Sequence, residues 1–128
     1  MNNQVWPTGD ERRRSSRIPW QGHLRVLLPG GAAQDGRGQD LSFAGMSCLL
    51  PHPLEPGQVV SLRFDLPLPR GGRQRARAQG RVRHCRALRS EPLWRTGFEF
   101  LHLDPASARA LYTFLALARH GEPSPAYV

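Results

Sequence analysis

Two short segments concentrate the side chains able to do chemistry. Arg12-Arg13-Arg14-Ser15-Ser16-Arg17 places four guanidinium groups within six residues, and Asp40-Leu41-Ser42-Phe43-Ala44-Gly45 follows about twenty residues later. A guanidinium is a planar, permanently charged fork that grips an oxyanion through two parallel hydrogen bonds, a geometry a lysine ammonium cannot reproduce. In the second segment Asp40 supplies an acceptor, Ser42 a small hydroxyl, and Gly45 either a positive φ or room for a close approach to the backbone. The residue types point to noncovalent anion binding. Each segment also has a plainer reading: the arginine run as a solvated tail or a nonspecific polyanion contact, and Asp40 to Gly45 as an ordinary β-turn whose side chains bond nearby backbone. A turn can also present a ligand, so the second plain reading is compatible with a binding role.

The rest of the composition narrows the classes. Nothing resembles a nucleophile elbow, a P-loop or a histidine–carboxylate metal cluster, and the ten scattered acidic residues form no acid/base pair, so no catalysis is expected. Cys48 and Cys85 lie far apart and make neither a C-x-x-C pair nor a cluster with the five histidines, which argues against zinc and for free thiols. A net charge of +8 and a pI near 11.3 call for an anionic partner: nucleotide, nucleic acid, acidic protein or membrane surface. All eighteen Lys and Arg positions are arginine, which fits bidentate phosphate recognition and equally fits coding bias in a GC-rich genome. At 128 residues one domain is expected, with no apolar run long enough to span a membrane and no secretory h-region, hence a cytoplasmic location.

The elements that must position these groups are legible as alternation. Leu24, Val26 and Leu28 mark a strand over about 22–28 ended by Pro29-Gly30-Gly31, Gly36 to Leu41 can form a second, and Met46, Cys48 and Leu50 alternate in a third. Val60, Leu62, Phe64 and Leu66 alternate in a fourth strand, and Ala76, Ala78, Gly80, Val82 and His84 alternate with Arg75, Arg77, Gln79, Arg81 and Arg83 in a fifth. Trp94, Thr96, Phe98 and Phe100 line one side of the last strand. Asp104-Pro105 then starts a helix over about 105–119, with Leu111, Phe114, Leu115 and Ala118 on one face and Gly121, Pro123 and Pro125 beyond its end. Short antiparallel strands followed by one amphipathic helix predict a β-barrel with the helix across an open end.

Arg13 and Arg17 as R-x-x-x-R, followed by Asp40, Ser42 and Gly45 as D-x-S-x-x-G, resemble the paired signature of the PilZ domain family, bacterial receptors for cyclic di-GMP. Gly97-Phe98-Glu99-Phe100 and the final helix resemble the family's ending. The resemblance implies a mainly β fold, a six-stranded antiparallel β-barrel with one C-terminal α-helix. It also implies a division into a flexible basic arm (1–21), the barrel with its helix (22–120) and a tail (121–128). The implied ligand carries two phosphodiesters and two guanines. Arginine forks suit phosphate oxygens and guanine O6/N7, and a carboxylate accepts from the N1–H and N2–H of guanine.

On that resemblance Arg13 and Arg17 would take phosphates and guanine edges, with Arg12 and Arg14 as supplementary contacts. Asp40 and Ser42 would hold a guanine, and Gly45 would shape the pocket. His84 has two readings, a planar neighbour for a guanine or a structural histidine. Trp20 and Trp94 could stack on a base or belong to the core. The expected action is a receptor that closes its arm over the ligand and signals to a downstream effector protein, without nucleic acid or membrane insertion. The alternative is a small basic β-barrel binding RNA or single-stranded DNA. The arginine stripe at 75, 77, 81 and 83 stays open between a solvated face and a docking surface for an acidic partner.

Overall fold

The structure is a computed structural model and describes residues 17–119. Its strands are β1 (Ile18–Pro19), β2 (His23–Leu27), β3 (Ala33–Leu41), β4 (Gly45–Leu50), β5 (Val59–Pro67), β6 (Arg73–Ala87) and β7 (Trp94–Leu103), followed by one helix, α1 (Pro105–Arg119). Every pairing is antiparallel, in the order β3-β2-β5-β6-β7-β4, and β4 returns to β3, so six strands close a barrel. Among the described residues each of the six barrel strands has a paired neighbour on both sides. The long β5–β6 hairpin turns at Gly71 and Gly72, whose φ values of 96° and 79° are where glycine carries no side-chain penalty.

The alternation read from the sequence decides what fills the barrel. Leu24 and Val26, then Val60, Leu62, Phe64 and Leu66, then Ala76, Ala78 and Val82, and finally Phe98 and Phe100 are all buried in one cluster. Small residues on β6 face the aromatics: Phe64 stacks on Phe100 with ring centroids 5.9 Å apart and planes 5° from parallel. Cys48 is fully buried, and burial pushes its thiol up well above the usual range.

The body begins earlier than residue 22. Ile18 and Pro19 pair with Leu41 and Asp40 on β3, beside β2. Trp20 N–H donates to the Gln39 carbonyl at 3.1 Å and Gly38 N–H to that of Gly22 at 2.9 Å, so β1 and β2 run as one interrupted strand. At the interruption the Trp20 side chain turns inward and is fully buried. It meets Phe64 edge-on at 5.8 Å, and its indole N–H donates to the Asp65 carbonyl at 3.1 Å. Trp20 is therefore core and does not stack on a base. Gly38 lies against its ring, where a β-carbon would overlap the indole. The arm drawn as 1–21 loses its last residues to the barrel because an indole buries more apolar surface there than any other side chain could.

The helix starts as its caps require. Ser107 N–H donates to Asp104 Oδ1 at 2.7 Å, with Pro105 at the first helical position. That backbone hydrogen bond, reinforced by the Ser107 side chain, holds the Asp104 carboxyl below its ordinary range. Leu111, Phe114 and Leu115 pack into the barrel cluster, and Ser107 Oγ accepts from Arg77 N–H at 2.8 Å, tying the helix start to β6. Among the described residues no helix is long and apolar enough to cross a membrane.

Candidate ligand site

The D-x-S-x-x-G segment spans the end of β3, the connection 42–44 and the first residue of β4. Its serine is spent on the turn: Ser42 Oγ accepts from Ala44 N–H at 3.1 Å and Gly45 N–H at 3.3 Å, and Ser42 N–H donates to the Gly45 carbonyl at 2.9 Å. Its glycine is required by a neighbouring strand. Gly45 lacks a positive φ, and a β-carbon there would press on the Phe98 carbonyl of β7. Close approach is thus the reason for this glycine, and what approaches is the backbone of a neighbouring strand.

Asp40 faces outward because of a bulge. Gly38 pairs with Cys48 and Asp40 with Ser47, so Gln39 is an extra residue on β3. Gly38 points inward, and strict alternation would turn Asp40 inward too; one inserted residue reverses the parity. A second bulge does the same on β6. Val82 pairs with Phe98 and His84 with Gly97, leaving Arg83 extra. His84, read from the sequence as part of the inward alternation, is instead exposed on the outer wall.

The two bulges bring Asp40 and His84 to the ends of one cross-strand row. Asp40 pairs with Ser47, Ser47 with Gly97, and Gly97 with His84. Four neighbouring strands at about 4.8 Å spacing make this row about 14 Å long. Arg17, just before β1, lies across its near end. Its guanidinium donates to Asp40 Oδ1 at 2.7 Å and to Ser47 Oγ at 3.4 Å. The Arg17 side chain remains 53% exposed and that of Asp40 27%, so both groups are open to exchange partners. Gly97 leaves the middle of the row without a side chain, and the His84 imidazole lies over the gap, occupying the space a β-carbon at 97 would need. Beside it Glu99 is held by Arg83 at 3.3 Å and Arg81 at 4.0 Å.

Arg17, Asp40 and His84 thus share one surface, while Ser42 and Gly45 shape the connection beneath it. Arg12, Arg13 and Arg14 lie outside the described residues. Ser47 and Gly97 belong to the row and were not singled out from the sequence. Gly97 does stand in the Gly97-Phe98-Glu99-Phe100 segment, but only the pairing of β4 with β7 places it beside Ser47. The connection also touches the helix: Phe43 and Tyr112 rings are 5.3 Å apart, and the Arg119 guanidinium lies 5.8 Å from the Phe43 ring centre. The sequence-stripe arginines separate, Arg75 pairing with Asp65 at 3.2 Å and Arg81 and Arg83 with Glu99. Among the described residues no group of three or more histidine, cysteine or acidic side chains could hold a metal ion.

Solved structures share this fold. The Bacillus subtilis inhibitor of motility MotI/DgrA superposes with a TM-score of 0.71 at 13% identity, over 90% of this chain and 57% of that one, so the chain spans little more than half of that protein. The PilZ domain of Escherichia coli YcgR, solved with c-di-GMP, gives a TM-score of 0.64 at 21% identity over 86% and 94% of the two chains. YcgR in complex with c-di-GMP gives 0.65 at 23% identity over 86% and 47%. No curated protein sequence matches the chain. The PilZ domain family model matches residues 11–117, a span that contains the Arg13/Arg17 pair, the Asp40 connection, the whole barrel and most of the helix: the chain belongs to the PilZ domain family.

Proposed function

We propose that this PilZ domain is a cytoplasmic receptor for cyclic di-GMP, acting by binding alone. The observation that carries the reading is the outward row, in which Arg17 is held by Asp40 and Ser47 beside Gly97, whose missing side chain leaves room for the His84 ring. A guanine edge offers O6 and N7 to an arginine fork and N1–H and N2–H to a carboxylate, so a paired arginine and aspartate match both halves of one base. Arg17 and Asp40 satisfy each other until a guanine takes both. Ser47 adds a hydroxyl and His84 a planar ring at the far end. Arg13, four residues before Arg17, grips phosphate, with Arg12 and Arg14 beside it. Ser42 and Gly45 act indirectly, by holding the turn that aims Asp40. The c-di-GMP present in the two YcgR structures supports the ligand's identity.

Signalling follows from closing the segment before Ile18 over the ligand, which creates a composite surface for an effector protein. Fixing backbone costs roughly 1–2 kcal/mol per residue, so several arginine contacts must form together. Calorimetric titration with cyclic di-GMP, cyclic di-AMP and GMP at one ionic strength tests the reading. Cyclic di-GMP should bind by far the best, since one bidentate base contact is worth about 1–3 kcal/mol. Equal binding of all three would leave diffuse polyanion attraction, as for RNA or single-stranded DNA, as the better account.

A further inference from the structure

A second row of side chains lies on the same outer wall, one pleat period from the first. Arg37 pairs with Leu49, Leu49 with Arg95, and Arg95 with Arg86. Along β4, β6 and β7 each member is two residues from its counterpart in the Asp40–Ser47–Gly97–His84 row, a spacing of about 6.8 Å. Arg37, Arg86 and Arg95 are exposed. Among the described residues no carboxylate comes within ion-pairing distance of any of them; Asp40 on the neighbouring row is engaged by Arg17, and Glu99, one row further along β7, by Arg81 and Arg83.

Arg86 and Arg95 stand directly opposite each other, with β-carbons about 5 Å apart, an arrangement that is destabilising for like charges unless something neutralises it. Two forks at that separation converge on a single oxyanion. Ser47 and Arg95 are diagonal neighbours on adjacent strands, about 7–8 Å apart, so a dinucleotide lying along the first row passes within reach of the second.

We propose that Arg86 and Arg95 form a second anion subsite on this wall, taking a phosphodiester of the bound dinucleotide while Arg17 holds the other end, with Arg37 extending the cationic row. The assignment to a nucleotide phosphate rests on the cyclic di-GMP reading; the anion subsite itself does not. An internal control is built into the fold. Arg63 and Arg77 are also directly opposed on the outer wall, with no acid in ion-pairing distance of either among the described residues. Arg77 lies seven residues from His84 along β6, about 24 Å away.

The test compares Arg86→Gln/Arg95→Gln with Arg63→Gln/Arg77→Gln, substitutions that keep the side-chain stem and remove equal charge. Calorimetry with cyclic di-GMP should show about a tenfold to hundredfold loss for the first pair and less than about threefold for the second. Equal losses, or none for Arg86→Gln/Arg95→Gln, overturn the subsite. A second arm titrates the wild-type protein with inorganic pyrophosphate, read by NMR at the arginine Nε–H groups. Saturable shifts at Arg86 and Arg95 support the subsite even when cyclic di-GMP fails to bind, in which case the nucleotide assignment falls and the anion site stands. Uniform shifts at every arginine overturn both. Thermal melts of each variant establish that it is folded.

Discussion

Replacing Gly45 by alanine separates a structural role for the motif glycine from a ligand role. A β-carbon at 45 presses on the Phe98 carbonyl oxygen and lies 3.0 Å from its carbonyl carbon and 3.3 Å from Glu99 Cα. All three are backbone atoms of β7, so no side-chain rotation relieves the overlap. Forcing extra volume into a packed site costs about 1–3 kcal/mol. Pushing β4 from β7 also stretches the Phe100 N–H to Ala44 carbonyl bond, 2.8 Å long, whose loss adds about 1 kcal/mol. The sum is about 3 kcal/mol, with no ligand present. In urea, with a slope of about 2 kcal/mol per molar for a domain of this size, the unfolding midpoint should fall by about 1.5 M. Arg17→Ala is the contrast: it removes an exposed 2.7 Å ion pair worth less than about 1 kcal/mol, and its midpoint should hardly move. A Gly45→Ala protein with wild-type stability but no ligand affinity would refute this argument and return the glycine to the ligand pocket.

Arg13→Ala and Arg17→Ala should each remove most cyclic di-GMP affinity by calorimetry while circular dichroism stays native, whereas Arg75→Ala should leave affinity unchanged. Trp20→Ala should lower stability by about 3–5 kcal/mol in denaturant titrations, because the residue is fully buried. Asp104 has a folded-state pKa below its ordinary value, from the Ser107 N–H bond first; its contribution is present above the unfolded carboxylate value and lost as pH falls through the folded one. Thermal melts should therefore lose stability below about pH 4, and less steeply in Asp104→Asn, which keeps the cap acceptor without the titration. With its thiol buried and its pKa raised, Cys48 should resist a thiol reagent in the native protein and react only on unfolding, so at most Cys85 is labelled under native conditions.

The barrel was legible because its strands alternate: Val60 to Leu66 and Ala76 to Val82 announce their inner faces. The helix was legible at its start, from Asp104-Pro105, and along its packed face, from Leu111, Phe114 and Leu115. What escaped was what local pattern cannot carry. The Pro19 strand is two residues long and too short to alternate, so Trp20 stood as an ambiguous aromatic until its place inside the barrel was seen. The bulges at Gln39 and Arg83 invert parity, which is why Asp40 and His84 share a surface that simple alternation denies them. Ser47, Gly97, Arg86 and Arg95 acquire meaning only through pairings between strands distant in sequence. Ser42 and Gly45 stand out by motif, and the contacts they make are those of turn and strand geometry.

Amide exchange refines the proposed switch. Ile18 and Trp20 should be protected without ligand, since β1 is already paired, and new protection on binding should be confined to residues before Ile18. The most direct measurement of the central claim is a titration of cyclic di-GMP into isotope-labelled protein, followed at individual backbone amides by NMR. Saturable shifts should concentrate at Arg17, Asp40, Ser47, Gly97 and His84, with Arg63 and Arg77 on the other wall still. Absence of saturable shifts, or shifts centred on Arg63 and Arg77, would contradict it.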